Sequence, residues 1–142
     1  MKTLLTFLIL LTSAAIVAQS DKVAGNYALS LPSNEGDVIE YKLTLNEDGS
    51  FVFHYYLNIN HRIPSTLNQY GKGTWTVKDN VVVFSSDKQK DIDEKNMVDF
   101  TATKARFLTK SHRAPSDKLV KTQLRFLKSA IPFMERVDLV KI

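Results

Sequence analysis

Few side chains in this chain could do chemistry, and they do not converge. There are three histidines, His54, His61 and His112, and no cysteine. Thiolate nucleophiles, disulfides and cysteine-ligated metal are therefore excluded. A metal centre needs several ligands brought together, with carboxylate help. His54 falls on the polar face of a strand pattern and the other two in separate connections, which predicts surface histidines. A Ser-His-acid set would have to draw on one of these three, and neither a nucleophile elbow nor a glycine-rich phosphate loop is present. No pair of carboxylates is singled out by its spacing. The run Asp87-x-x-x-Asp91-x-Asp93-Glu94 has the acidity of a calcium loop. It places Ile92 where that loop needs glycine and Val98 where it needs the bidentate glutamate, so it reads as a solvated charged loop. No catalytic residue, metal or cofactor is predicted.

Aromatic and aliphatic side chains at a period of two are far more frequent, and they define the elements. Ile39, Tyr41, Leu43 and Leu45 alternate with Glu40, Lys42, Thr44 and Asn46, as do Phe51, Phe53, Tyr55, Leu57 and Ile59 with Val52, His54, Tyr56, Asn58 and Asn60. That is the signature of two strands each burying one face. Asp48-Gly49 between them supplies the left-handed position of a tight hairpin. A second hairpin joins GKGTWTV and NVVVF at Lys78-Asp79-Asn80, with Gly71, Gly73, Trp75 and Val77 on one face and Val82 and Phe84 inward. Glycines in a strand leave room for a bulky neighbour or a sharp bend.

Further strands are expected over Lys22–Leu31 (Tyr27, Leu29 and Leu31 on one face), Val98–Leu108, Lys118–Leu127 and Phe133–Val140. The connection Asn60–Tyr70 looks too long for a hairpin turn and is a candidate lid. No segment past residue 20 holds a helical repeat. Eight short strands in sequence predict an all-β fold, an eight-stranded antiparallel up-and-down barrel, with a two-sheet sandwich as the alternative.

Such a barrel has an interior just wide enough to be filled by side chains or to hold one small ligand. The inward set includes Tyr27, Tyr41, Phe51, Phe53, Tyr55, Trp75 and Phe84. Lys104 shares its parity with Phe100 and Ala102, and Glu135 with Phe133 and Val137, which predicts an internal charge that must be paired. The candidate ligand-binding residues are therefore Tyr27, Tyr41, Phe53, Tyr55, Trp75, Phe84, Lys104 and Glu135, and the candidate ligand is a small apolar or amphipathic molecule.

Residues 1–19 carry one lysine, an apolar core from Leu4 to Leu11 and small residues up to Ala18, the layout of a cleaved secretory signal peptide. No cysteine stands there to take a lipid, so a secreted or periplasmic protein, not a lipoprotein and not membrane-spanning, is expected with one domain over 20–142. Loss of the leader removes only Lys2, and the formal charge falls from +4 to +3. That balance is too mild to point to nucleic acid. The cations are nonetheless concentrated: from Lys104 to Lys128 there are eight against Asp117 alone. If strands six and seven are neighbours, they present a basic patch to an envelope protein or an anionic surface.

Gly25-x-Tyr27, LTLNEDGSFVF and GKGTWTVKDNVVVF together resemble the lipocalin-like (calycin-type) barrels of bacterial exported proteins. They are similar above all to the N-terminal barrel of the copper-resistance, envelope-stress lipoproteins. The likeness covers about Val23 to Ser86. It implies a barrel, an extracytoplasmic setting and a cavity. The paired cysteines and lipidated cysteine of those proteins have no counterpart here, so copper association carries over to no residue. The expected function is non-catalytic binding of a small ligand in the barrel. The alternative is a protein-binding or inhibitory envelope module acting through its outer face or loops.

Overall fold

The computed structural model describes residues 19–33, 35–109 and 121–142. Eight strands close into one antiparallel barrel in chain order: β1 (Gly25–Pro32), β2 (Val38–Leu45), β3 (Ser50–Asn58), β4 (Thr66–Lys78), β5 (Val81–Ser85), β6 (Thr103–Leu108), β7 (Gln123–Lys128) and β8 (Asp138–Lys141). β8 returns to β1 through Tyr27 opposite Lys141 and Ala28 opposite Val140. That pairing makes the fold a barrel and rules out the sandwich. The expected leader lies outside the described residues apart from Gln19, which opens a helical turn over 19–23. Among the described residues no helix is long and apolar enough to cross a membrane.

The turns form as their residues dictate. Gly49 takes φ +83°, and Asp48 Oδ1 accepts from Ser50 N at 2.8 Å and Ser50 Oγ at 2.6 Å, locking the β2–β3 reversal. Asp79 and Asn80 both sit at positive φ, 52° and 60°, between the paired Lys78 and Val81. Two left-handed residues in a two-residue loop match the twist of the flanking strands. At this end Trp75 is buried, and its Nε1 donates to Asn46 O and Ser50 O, both at 3.0 Å, while Tyr27 Oη donates to Val23 O. Buried indole and phenol groups need such partners, and the helical turn with Trp75 closes this end.

The two β4 glycines do both things expected of them. A Cβ on Gly71 would stand 2.8 Å from Phe100 Cε2, and one on Gly73 would stand 2.1 Å from Ser85 O. Gly73 thus lets β5 approach the β4 backbone, and Gly71 lets the Phe100 ring lie across the strand. β5 pairs with β4 only over Thr74–Lys78. Beside the upper half of β4 runs the end of the 86–102 connection, through the Tyr70–Asn96 bridge and Val98 N to Tyr70 O at 3.0 Å. Phe100, from that connection, is fully buried.

Several expected boundaries move. β4 begins at Thr66, so the connection from β3 is a seven-residue hairpin loop, 59–65, closed by Ile59 N to Ser65 O at 2.8 Å. The Asn60–Tyr70 lid is thereby corrected, since its second half is strand. β6 begins at Thr103 because Ala102 takes φ +61° and breaks the alternation. Phe100 and then Thr103, Ala105 and Phe107 all point inward, and Lys104 is exposed. Pro132–Met134 is a 3₁₀ turn and Arg136 takes φ +62°, so β8 starts only at Asp138 and Glu135 is exposed. The expectation that Lys104 and Glu135 are interior charges is overturned at both positions, because a positive-φ residue or a helical turn shifts the parity. Leu31, expected inward, is 49% exposed at the strand end. The expected start of β7, from Lys118 to Val120, lies outside the described residues.

Gly71→Ala and Gly73→Ala should differ in a defined order. At Gly71 the fully buried Phe100 ring must shift and Val98 O stands 3.1 Å away, whereas at Gly73 the obstacle is the Ser85 carbonyl of the paired backbone at 2.1 Å. Gly73→Ala is expected to lower stability by about 3 kcal/mol and Gly71→Ala by about 2 kcal/mol, read as shifts of the urea unfolding midpoint.

Candidate functional site at the loop end

Inside the barrel the predicted aromatic set is present and in contact with itself. Tyr27, Tyr41, Phe53, Tyr55, Trp75 and Phe84 are all buried. The Phe100 ring lies 5.0 Å from Phe51, 5.0 Å from Phe53 and 5.8 Å from Phe84, and Phe84 lies 5.6 Å from Phe126. Edge-on contacts, as Phe100 makes with Phe51 and Phe53, and stacked ones, as Phe84 makes with Phe126, are both favourable aromatic packing at these distances. The column continues upward through Phe133, whose ring stacks on Tyr55 at 4.5 Å and 17° and on Phe53 at 6.4 Å and 15°. Tyr41 stands 5.0 Å from Tyr55 and donates from its hydroxyl to Phe133 O at 3.0 Å. Burial, and then the neighbouring Tyr55 hydroxyl, push the Tyr41 pKa up to about 12; burial raises Tyr27 and Tyr55 as well. The rings expected to line a ligand cavity pack against one another, with Phe133 as their stopper.

Above that stopper lies a cleft of about 340 Å³, lined in part by Gln69, Val98, Asp99, Thr101, Ile131 and Phe133, with Met97 at its rim. Two irregular segments build it. The first is anchored by Ser86, whose Oγ donates to Lys72 O at 2.9 Å and accepts from Phe100 N at 3.1 Å, while Thr101 Oγ1 donates to Ser86 O at 3.1 Å. The second is anchored by Ser129 Oγ, which accepts from Ile131 N at 3.0 Å and shares a 3.1 Å hydrogen bond with Thr103 Oγ1. Asp99 accepts from Thr101 N at 2.8 Å, and hydrogen bonds from Thr101 hold its carboxyl below the usual range. The cleft so offers apolar walls with a few fixed polar groups.

At the same end of the barrel, three large apolar side chains face solvent: Leu31 at the end of β1, Ile63 in the β3–β4 loop at 97% exposure, and Met97 at 72%. The β1–β2 and β3–β4 loops are tied together by Asn60 N to Asp37 Oδ1 at 2.8 Å and Asn60 Nδ2 to Glu35 O at 2.7 Å. Met97 falls outside the expected strands, and Phe133, expected to open the last strand, sits instead in a 3₁₀ turn, so the sequence singles out neither as a site residue.

Other predicted features fall elsewhere. His54 is half-buried on the outer wall, stacked on Tyr70 at 4.5 Å and hydrogen-bonded to Asn68 Oδ1 at 2.8 Å. His61 is exposed in the β3–β4 loop, and His112 lies outside the described residues. Among the described residues no group of three His, Cys, Asp or Glu could hold a metal ion. In the 86–102 connection Asp93 accepts from Asn96 N at 2.7 Å and pairs with Lys72 at 3.1 Å, which depresses its pKa.

The family described as the NlpE N-terminal domain matches residues 27–114. No curated protein and no solved structure matches the chain. The match spans β1 to β6 and stops short of β7, the 3₁₀ turn and β8, which carry Phe126 and the Phe133 stopper.

Removing that stopper should be visible in a tyrosine titration. A phenol whose pKa is raised by folding stabilises the fold below its ordinary value of 10, and that contribution is lost as pH climbs from about 10 to about 12. Phe133→Ala is expected to cost about 2 kcal/mol and to move the Tyr41 ionisation step, followed by ultraviolet absorbance, from about 12 toward 10. An unchanged step would show that Phe133 does not cover Tyr41.

Proposed function

The chain belongs to the NlpE N-terminal domain family, a family of bacterial envelope proteins, and on that footing we propose that it is a non-catalytic, protein-binding envelope module working through the loop end of its barrel. The observation that carries this reading is the pairing of a filled interior with apolar side chains held out to solvent at one end. Leu31, Ile63 and Met97 are exposed at that end, Met97 at the rim of a cleft, whereas the aromatic rings below are already in contact with one another. Apolar residues held in solvent at one end of a domain favour a macromolecular partner, and long side chains that enter a partner's pocket supply much of the binding energy of such contacts. Export by a cleaved leader into the periplasm or the medium belongs to the same proposal.

A second reading keeps the small apolar or amphipathic ligand expected from the sequence but moves it from the barrel axis to the mouth. It is favoured by the lining of the cleft, where Val98, Ile131 and Phe133 face Gln69, Asp99 and Thr101. Its volume of about 340 Å³ lies at the small end of ligand sites.

Photo-crosslinking in the producing cell separates the two. Benzoylphenylalanine placed at Ile63 or Met97 is expected to give one discrete protein adduct, while the same probe at Thr76 on the outer wall gives none. A native mass spectrum retaining a small molecule that Thr101→Leu expels, without an adduct at either loop position, would replace the first reading by the second.

A further inference from the structure

The outer wall formed by β6 and β7 holds cations against their own repulsion. Arg106 lies directly opposite Arg125, and Lys104 opposite Lys128, in an antiparallel pair. All four side chains are exposed. Like charges facing each other across two strands are destabilising. The register jumps between Lys104 and Ala105, so that Leu127 and Lys128 together oppose Lys104. Such a bulge leaves one residue unpaired and turned by local twist. Leu127 is that residue, 39% exposed, and Val83, the β5 partner of Lys104, is 38% exposed. Arg136, at φ +62° and exposed, extends the wall beside a cleft of about 550 Å³ that it shares with Arg125, Phe126, Leu127 and Asp138.

Among the described residues little answers this charge. Asp138 takes Arg125 in a bidentate pair, Nε to Oδ1 and Nη2 to Oδ2, both 2.9 Å. Exposed Glu135 adjoins Arg136 in the chain, and no ion pair of Lys104, Arg106, Lys128 or Arg136 is formed among the described residues. The connection from β6 to β7 continues the sign in sequence, with Lys110, Arg113, Lys118 and Lys121 against Asp117.

From this juxtaposition we infer that the β6–β7 wall is a docking surface for an anionic lipid bilayer. Two rows of cations on a sheet face suit an extended layer of phosphate headgroups, and each lysine or arginine near such a surface contributes to attachment. Val83 and Leu127 decide between a bilayer and a soluble polyanion. Apolar side chains set among the cations gain from contact with a lipid interface, whereas a hydrated acidic polysaccharide offers them nothing.

Co-sedimentation of the purified protein with vesicles tests the inference. Vesicles of phosphatidylethanolamine with about one-third phosphatidylglycerol are compared with neutral phosphatidylcholine vesicles at low salt. The wild-type protein is expected to partition at least tenfold more strongly onto the anionic vesicles. Lys104→Glu with Arg106→Glu should reduce that partition at least tenfold, with a urea midpoint no lower than wild type. A charge-matched control, Lys42→Glu with Lys78→Glu, should reduce it less than threefold. Equal loss in both double variants would overturn the inference, since net charge alone would then explain binding. Preference for neither vesicle, or binding of soluble polyphosphate without binding of anionic vesicles, would overturn it as well.

Discussion

The structure turns on one contact, the ring of Phe100 lying across the bare backbone of Gly71. β5 is too short to accompany β4 along its length, so the upper part of the barrel wall would be open beside Tyr70. The chain covers that gap with the end of a long connection and sends Phe100 through it into the interior, where it meets Phe51, Phe53 and Phe84. Gly71 permits the approach, Gly73 brings the β5 backbone close, and Ser86 holds the incoming segment by three hydrogen bonds. With no cysteine available, stability rests on this packing.

A filled axis constrains function as much as it supports the fold. Eight-stranded barrels leave a lumen only one small molecule wide, and here aromatic rings occupy it from Phe126 up to Phe133. The proposed function accordingly uses surfaces: the loop end, where irregular segments leave a cleft and exposed apolar side chains, and the outward walls. The basic wall of β6 and β7 runs up to the loop end, where Lys104 and Lys128 adjoin the Thr103 and Ser129 anchors of the cleft.

Much of this was readable from the sequence where one physical rule acted alone. Alternation fixed the faces of β2 and β3 because each buries one side, and the Asp48-Gly49 and Asp79-Asn80 turns declared themselves through residues that tolerate positive φ. The strand count and the barrel followed, and the family match over 27–114 extends past the Val23 to Ser86 stretch on which the resemblance rested. Parity failed where the backbone departs from extended geometry. Ala102 at φ +61° and the 3₁₀ turn at Pro132–Met134 each reset the alternation, which turned Lys104 and Glu135 outward. The site was less legible than the fold, because Val98 and Phe133, expected to open strands, lie in irregular segments held by distant partners, Tyr70, Tyr55 and Tyr41. The basic wall was visible as composition, but its cross-strand register depends on a bulge that no residue type announces.

The central claim, a barrel filled along its axis, is tested most directly by crystals pressurised with xenon, which enters empty apolar cavities. The account predicts no xenon within the barrel. A bound xenon atom among Phe53, Phe84 and Phe100 would contradict it and return the interior to the list of binding sites.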